Sequence, residues 1–88
     1  MSKSVKILTT RHFDRDLKKL PAAIRERFID ILTDLSASPY GFELLSGQFR
    51  GLRRIRIGDY RAIYRIEEEK NHTAVLLLFI AHRKSVYE

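Results

Sequence analysis

The sequence predicts an α+β domain, a helical hairpin packed on one face of a small antiparallel sheet, in the order β-α-α-β-β-β. Three observations carry this reading. Apolar residues at Phe13, Leu17, Leu20, Ile24, Phe28, Ile31 and Leu35 recur in steps of three or four, a helical stripe that Pro21 splits. Leu52 to Arg65, rich in β-branched, aromatic and arginine residues on both sides of Gly58-Asp59, reads as two strands joined by a two-residue hairpin turn. Thr73 to Ala81 is apolar at almost every position, as a strand covered on both faces would be.

Each element has its own grounds. Val5 to Thr9 mixes β-branched and polar residues and reads as a first strand. Thr10 is placed to cap the helix that follows. Proline is disfavoured inside a helix but suits its first turn, so the stripe divides into helices at about 11–19 and 22–36. Arg11, Arg15, Lys18, Lys19, Arg25, Glu26 and Arg27 fall off the stripe and form a solvated surface. Residues 36–51 collect Ser, Pro and Gly and read as a loop, with Leu44, Leu45 and Phe49 expected to tuck inward. Residues 67–71, with three consecutive glutamates, make the turn before the last strand. The whole chain, 1–88, reads as one domain.

The hairpin sorts its side chains by parity. Ile57 should face Tyr60, Arg56 face Arg61, Ile55 face Ala62 and Arg54 face Ile63, and directly opposed residues share a face. One face then carries Arg54, Arg56, Arg61 and Arg65. The other carries Ile55, Ile57, Tyr60, Ala62, Tyr64 and Ile66, and belongs under the helices. Like charges directly opposed, as Arg56 and Arg61 would be, destabilise a sheet unless something compensates them. A bound polyanion would.

Composition points the same way. Lys and Arg number 17 against 11 Asp and Glu, for a net charge of +6 and an isoelectric point near 10.0. Arginine outnumbers lysine 11 to 6, and its planar fork matches phosphate with paired hydrogen bonds. Expected partners are RNA, DNA or a strongly acidic protein. The chain has no cysteine, which removes disulfides and thiolate chemistry. His12, His72 and His82 lack ligand spacing, so neither a metal nor another cofactor is expected. No secretory leader and no membrane-long apolar run are evident, and a cytoplasmic location is the expectation.

The segments Phe13-Asp14-Arg15-Asp16-Leu17-Lys18-Lys19-Leu20-Pro21, Arg54-Ile55-Arg56-Ile57-Gly58-Asp59-Tyr60-Arg61-Ala62-Ile63-Tyr64 and His82-Arg83-Lys84-Ser85-Val86-Tyr87 resemble the RelE/ParE family of toxins from toxin–antitoxin pairs. Similarity in this order and spacing spans nearly the whole chain. The resemblance implies the fold already read from the residues. It also implies an mRNA interferase, a ribonuclease and hydrolase that inhibits translation by cutting messenger RNA, typically in the ribosomal A site.

Carried over by motif, the implied catalytic positions are Arg54, Arg56, Arg61, Arg83 and Tyr87. Arg56, Arg61 and Arg83 would neutralise the scissile phosphate, and Tyr87 would stack on a base or move a proton. Arg53, Arg65 and Lys84 are further RNA-binding candidates. Relatives often carry lysine where Arg54 and Arg56 stand; arginine is a poor base, so the proton acceptor is open. His82 is the nearby group that titrates near neutrality, although strict alternation points it away from Arg83. Implied partners are an acidic, RelB-like antitoxin, messenger RNA with the ribosome, and promoter DNA through the antitoxin complex; no membrane partner is expected. The other readings are a ParE-like inhibitor of gyrase that acts by binding, and an inactive homologue that keeps its antitoxin.

Overall fold

A computed structural model describes residues 3–86 of the chain. The strand β1 (Ser4–Thr9) leads into α1 (Arg11–Lys19) and α2 (Ala22–Ala37). A two-residue strand, β2 (Glu43–Leu44), and a 3-10 turn (Gly47–Phe49) follow. Then come β3 (Arg53–Ile57), β4 (Tyr60–Glu68) and β5 (His72–His82). The five strands form one sheet in the order β1-β5-β4-β3-β2.

The helices start and stop where side-chain chemistry directs. Thr10 accepts the Phe13 N–H at 3.0 Å and donates its own hydroxyl proton to the Leu78 carbonyl at 2.7 Å. Asp14 lies in the first turn of α1 and Lys18 and Lys19 in its last, each sign matched to the helix dipole. At the Pro21 corner, Nη1 of Arg25 donates to the Leu20 carbonyl at 3.0 Å, so a side chain of α2 closes the end of α1.

The hairpin register is the one that parity requires, running from Ile57 opposite Tyr60 to Arg53 opposite Tyr64. Gly58 turns at φ +58, the conformation a two-residue hairpin asks of its first loop residue. Ile55, Ile57, Ala62 and Tyr64 are fully buried with Phe13, Phe28 and Leu35 of the helices. β5 lies between β1 and β4, as its apolar sequence requires.

Three features differ from the expectation. The sheet is mixed: β1 runs parallel to β5, whereas the other pairs are antiparallel. After the α1–α2 hairpin β2 enters antiparallel to β1, and the three reversals through β3, β4 and β5 bring β5 into the direction of β1. Residues 36–51 are not merely a loop, because β2 pairs with β3, Glu43 opposite Arg54 and Leu44 opposite Arg53. Leu44 does not tuck inward but is 59% exposed at that sheet edge.

The third feature is a bulge. Ile63 pairs with Phe79 but Tyr64 pairs with Leu77, so Leu78 has no opposite number. β5 therefore changes parity there. Val75 and Leu77 point into the helical core, whereas Phe79 and Ala81 fall on the arginine face, opposite Ile63 and Arg61. Beyond the end of β1, α1 takes over the exposed edge of β5. Asp16 accepts the Ile80 N–H at 3.0 Å, next to the Thr10–Leu78 bond.

Tyr64 gives the core a pH dependence. Its hydroxyl donates to the Pro39 carbonyl at 2.6 Å, and burial pushes its pKa up to about 12 from 10.0. The folded state binds this proton more tightly than the unfolded chain does. Its contribution is therefore complete below pH 10 and declines as pH rises from about 10 to about 12. Denaturation of the parent and of Tyr64→Phe across that window checks this. The variant should start about 1 kcal/mol less stable, for the lost hydrogen bond, and show the shallower alkaline decline.

Candidate active site on the arginine face

The sheet face away from the helices gathers four arginines by register, and they are not equivalent. Arg56 is exposed and makes no hydrogen bond or ion pair among the described residues. Arg61, directly opposite, is only 6% exposed. Its Nη1 donates to the carbonyls of Gly58 at 2.9 Å and Tyr60 at 2.8 Å. The like-charge pair thus has a compensation in the fold itself, since two carbonyl dipoles hold one guanidinium over the turn. Arg54 pairs with the Glu43 carboxylate, and Arg65 with Glu67 at 2.8 Å.

Arg83 joins this group from β5. Ala81 sits opposite Arg61, and the chain then leaves the sheet, with the Arg83 N–H donating to the Asp59 carbonyl at 2.7 Å. Nε of Arg83 lies 3.6 Å from the Asp59 carboxylate. Arg56, Arg61 and Arg83 thus lie at strand ends beside the Gly58-Asp59 turn, whereas Arg54 sits opposite Ile63 at the far end of β3. The face is not bare. Ile63 is fully buried on it, and Phe49 of the 3-10 turn packs against Phe79 at 5.9 Å between ring centres.

Other candidates are placed elsewhere. Arg53 shares parity with Tyr64, the side of the helices. It clasps the loop before β2, donating to the carbonyls of Tyr40 and Phe42 at 3.1 and 2.7 Å and lying over the Tyr40 ring. His82 pairs with Tyr60 on that same side and meets its ring edge-on at 5.4 Å. Its Nδ1 accepts the Lys84 N–H at 3.2 Å. A neutral imidazole so bonded keeps its proton on Nε2, and offers a donor rather than an acceptor. The Lys84 side chain is exposed. Tyr87 lies outside the described residues.

Glu43 was missed. Register with Arg54 puts its carboxylate on the arginine face, but a two-residue strand inside a Ser/Gly-rich stretch has too little alternation to be recognised. Its apolar neighbours Leu44 and Leu45 were the available signal. Among the described residues, no three His, Asp or Glu side chains group as a metal site would need. What the face offers is positive charge interspersed with the carboxylates of Glu43, Glu67 and Asp59: an arrangement for holding a phosphodiester and moving a proton near it.

Comparisons with known proteins agree with this architecture. The family profile described as ParE toxin of type II toxin-antitoxin system, parDE, matches residues 7–87. Toxin RelG of Mycobacterium tuberculosis is 36% identical over 89 residues, covering 99% of this chain and 98% of the relative. Toxin RelE3 of Methanocaldococcus jannaschii is 33% identical, with 96% and 97% covered. The toxin–antitoxin complex RelBE2 of Mycobacterium tuberculosis includes a chain that superposes with a TM-score of 0.75 at 33% identity, covering 91% of this chain and 99% of that one. The fold and these similarities define one class: the chain belongs to the ParE toxin family of type II toxin–antitoxin systems. Within that class it is RelE-like, the toxin of a toxin–antitoxin pair.

Proposed function

We propose that this toxin is a metal-independent endoribonuclease that cuts messenger RNA in the ribosomal A site. One observation carries the reading: Arg56 is exposed without a partner among the described residues, beside a guanidinium already fixed on the turn. An exposed cation of this kind suits a phosphate that arrives from outside.

The reaction needs only groups of the RNA and of this face. The 2′-oxygen attacks the adjacent phosphorus, its proton passes to a base, and the bond from phosphorus to the 5′-oxygen breaks. The products are a 2′,3′-cyclic phosphate and a 5′-hydroxyl. Arg56 and Arg83 bind the phosphate oxygens as negative charge builds on them, and Arg61 adds its field from beneath. Glu43 is the base we favour, because its carboxylate is an acceptor on the arginine face, whereas Arg54 is a donor. The leaving oxygen takes a proton from Tyr87. Arg54, Arg65 and Lys84 steer the strand.

Glu43→Gln separates the base from a mere ion-pair partner. As the base, its loss lowers cleavage by about a hundredfold or more and leaves RNA affinity equal or higher. If it only pins Arg54, cleavage should hold or rise, and rates beside RNA titrations in low salt decide.

An acidic RelB-like antitoxin is the proposed partner, with charge opposite to this face, and promoter DNA is bound through that complex. The proposed location is cytoplasmic; no described helix is long and apolar enough to cross a membrane. The matching profile names ParE, and resemblance to ParE implies a gyrase-directed inhibitor as the second reading. Inducing the toxin gene without its antitoxin tests both. New transcript ends within codons support the nuclease, whereas DNA breaks with intact transcripts support gyrase inhibition and overturn it.

A further inference from the structure

We propose that the turn Gly58–Tyr60 is the positioning element of the arginine site, and that Asp59 is the positioning residue for Arg83. This rests on the nuclease reading above. Three consecutive carbonyls of the turn are each spent on an arginine. Those of Gly58 and Tyr60 hold the Arg61 guanidinium at 2.9 and 2.8 Å, and that of Asp59 holds the Arg83 N–H at 2.7 Å. The Asp59 carboxylate then faces Nε of Arg83 at 3.6 Å. One loop residue thus fixes both the main chain and the side-chain direction of an arginine just beyond the end of β5.

The surroundings show that this turn is held in one shape. Gly58 has φ +58, and a Cβ there would lie 3.2 Å from Cδ1 of Ile24 and 3.3 Å from Nη1 of Arg27. Any other residue would meet α2 as well as backbone strain. On the far side of Arg83 the chain is fixed too. Ser85 and Val86 donate their N–H groups to the His82 carbonyl at 2.8 and 3.1 Å, and Val86 is 3% exposed. Arg83 therefore has an anchored backbone and a side chain steered by one carboxylate. An exposed ion pair of this kind adds little to stability. Its value lies in orientation, because misplacing a catalytic group by about 1 Å costs up to about a hundredfold in rate.

Asp59→Asn tests the role, since it preserves shape and the backbone carbonyl. Cleavage of messenger RNA on ribosomes should show kcat lowered about tenfold with KM unchanged, and Asp59→Glu should restore part of the loss. The melting temperature should not move. In the protein alone, the Nε–Hε resonance of Arg83 should shift and broaden in Asp59→Asn, as a guanidinium losing its partner does. An unchanged Arg83 resonance overturns the proposal, as does an unchanged kcat with a lower KM, the mark of a carboxylate that only competes with phosphate. The resonance is read without RNA. A protein that cuts no RNA, yet shows the shift, retains the Asp59–Arg83 relation while the nuclease reading fails.

Discussion

Arg56→Ala and Arg83→Ala should each lower messenger RNA cleavage by about a hundredfold or more, the usual loss when an electrostatic donor to a phosphoryl transition state is removed. Both side chains are exposed, so neither change should disturb the fold. Arg56 has no partner to leave behind among the described residues, and Arg83 leaves only a surface carboxylate. Arg61→Ala is a different experiment. It removes a buried group that two carbonyls depend on, and unsatisfied carbonyls are costly. Its loss of activity should come with a loss of stability, whereas the other two should not. Single-turnover cleavage alongside thermal melting separates the cases. If Arg56→Ala and Arg83→Ala both cut at the parental rate, the site is misassigned.

The largest stability effect belongs to Phe13→Ala. Phe13 is fully buried and meets the Phe28 ring at 5.4 Å between centres, where α1 joins α2 over the sheet. Removing a phenyl group from such a place costs about 3–5 kcal/mol, a large share of the 5–15 kcal/mol typical of a domain. For a chain of this size that is a fall of at least about 12 °C in melting temperature. The loss should also loosen the α1 contacts to the β5 bulge, because Thr10 and Asp16 bond to β5 from the same helix. A fall of only a few degrees would mean that the helices are not held through this ring.

Much of this structure was legible because one local signal fixed many positions at once. Gly58-Asp59 sets a two-residue loop, the loop sets the β3–β4 register, and the register sorts Arg54, Arg56 and Arg61 from Ile55, Ile57 and Ala62. The Pro21 corner was readable for the same reason, since its chemistry is contained in a single residue. What stayed hidden depends on contacts distant in sequence or on missing contrast. The parallel β1–β5 pair joins residues nearly seventy positions apart. The bulge lies within Leu76-Leu77-Leu78, where every residue is apolar and a skipped one leaves no mark. That skip decides which way Ala81 and the approach to Arg83 are turned. Parity also gave Arg61 the correct face but not its burial, because a long side chain can fold back onto its own turn.

The chemistry of the cut ends tests the nuclease activity most directly. Purified toxin, free of antitoxin, is incubated with ribosomes carrying a defined messenger RNA, and the fragments are resolved by mass spectrometry. The prediction is an upstream fragment ending in a 2′,3′-cyclic phosphate and a downstream fragment beginning with a 5′-hydroxyl, both absent with Arg83→Ala. Intact messenger RNA, or fragments that carry a 5′-phosphate, would contradict it.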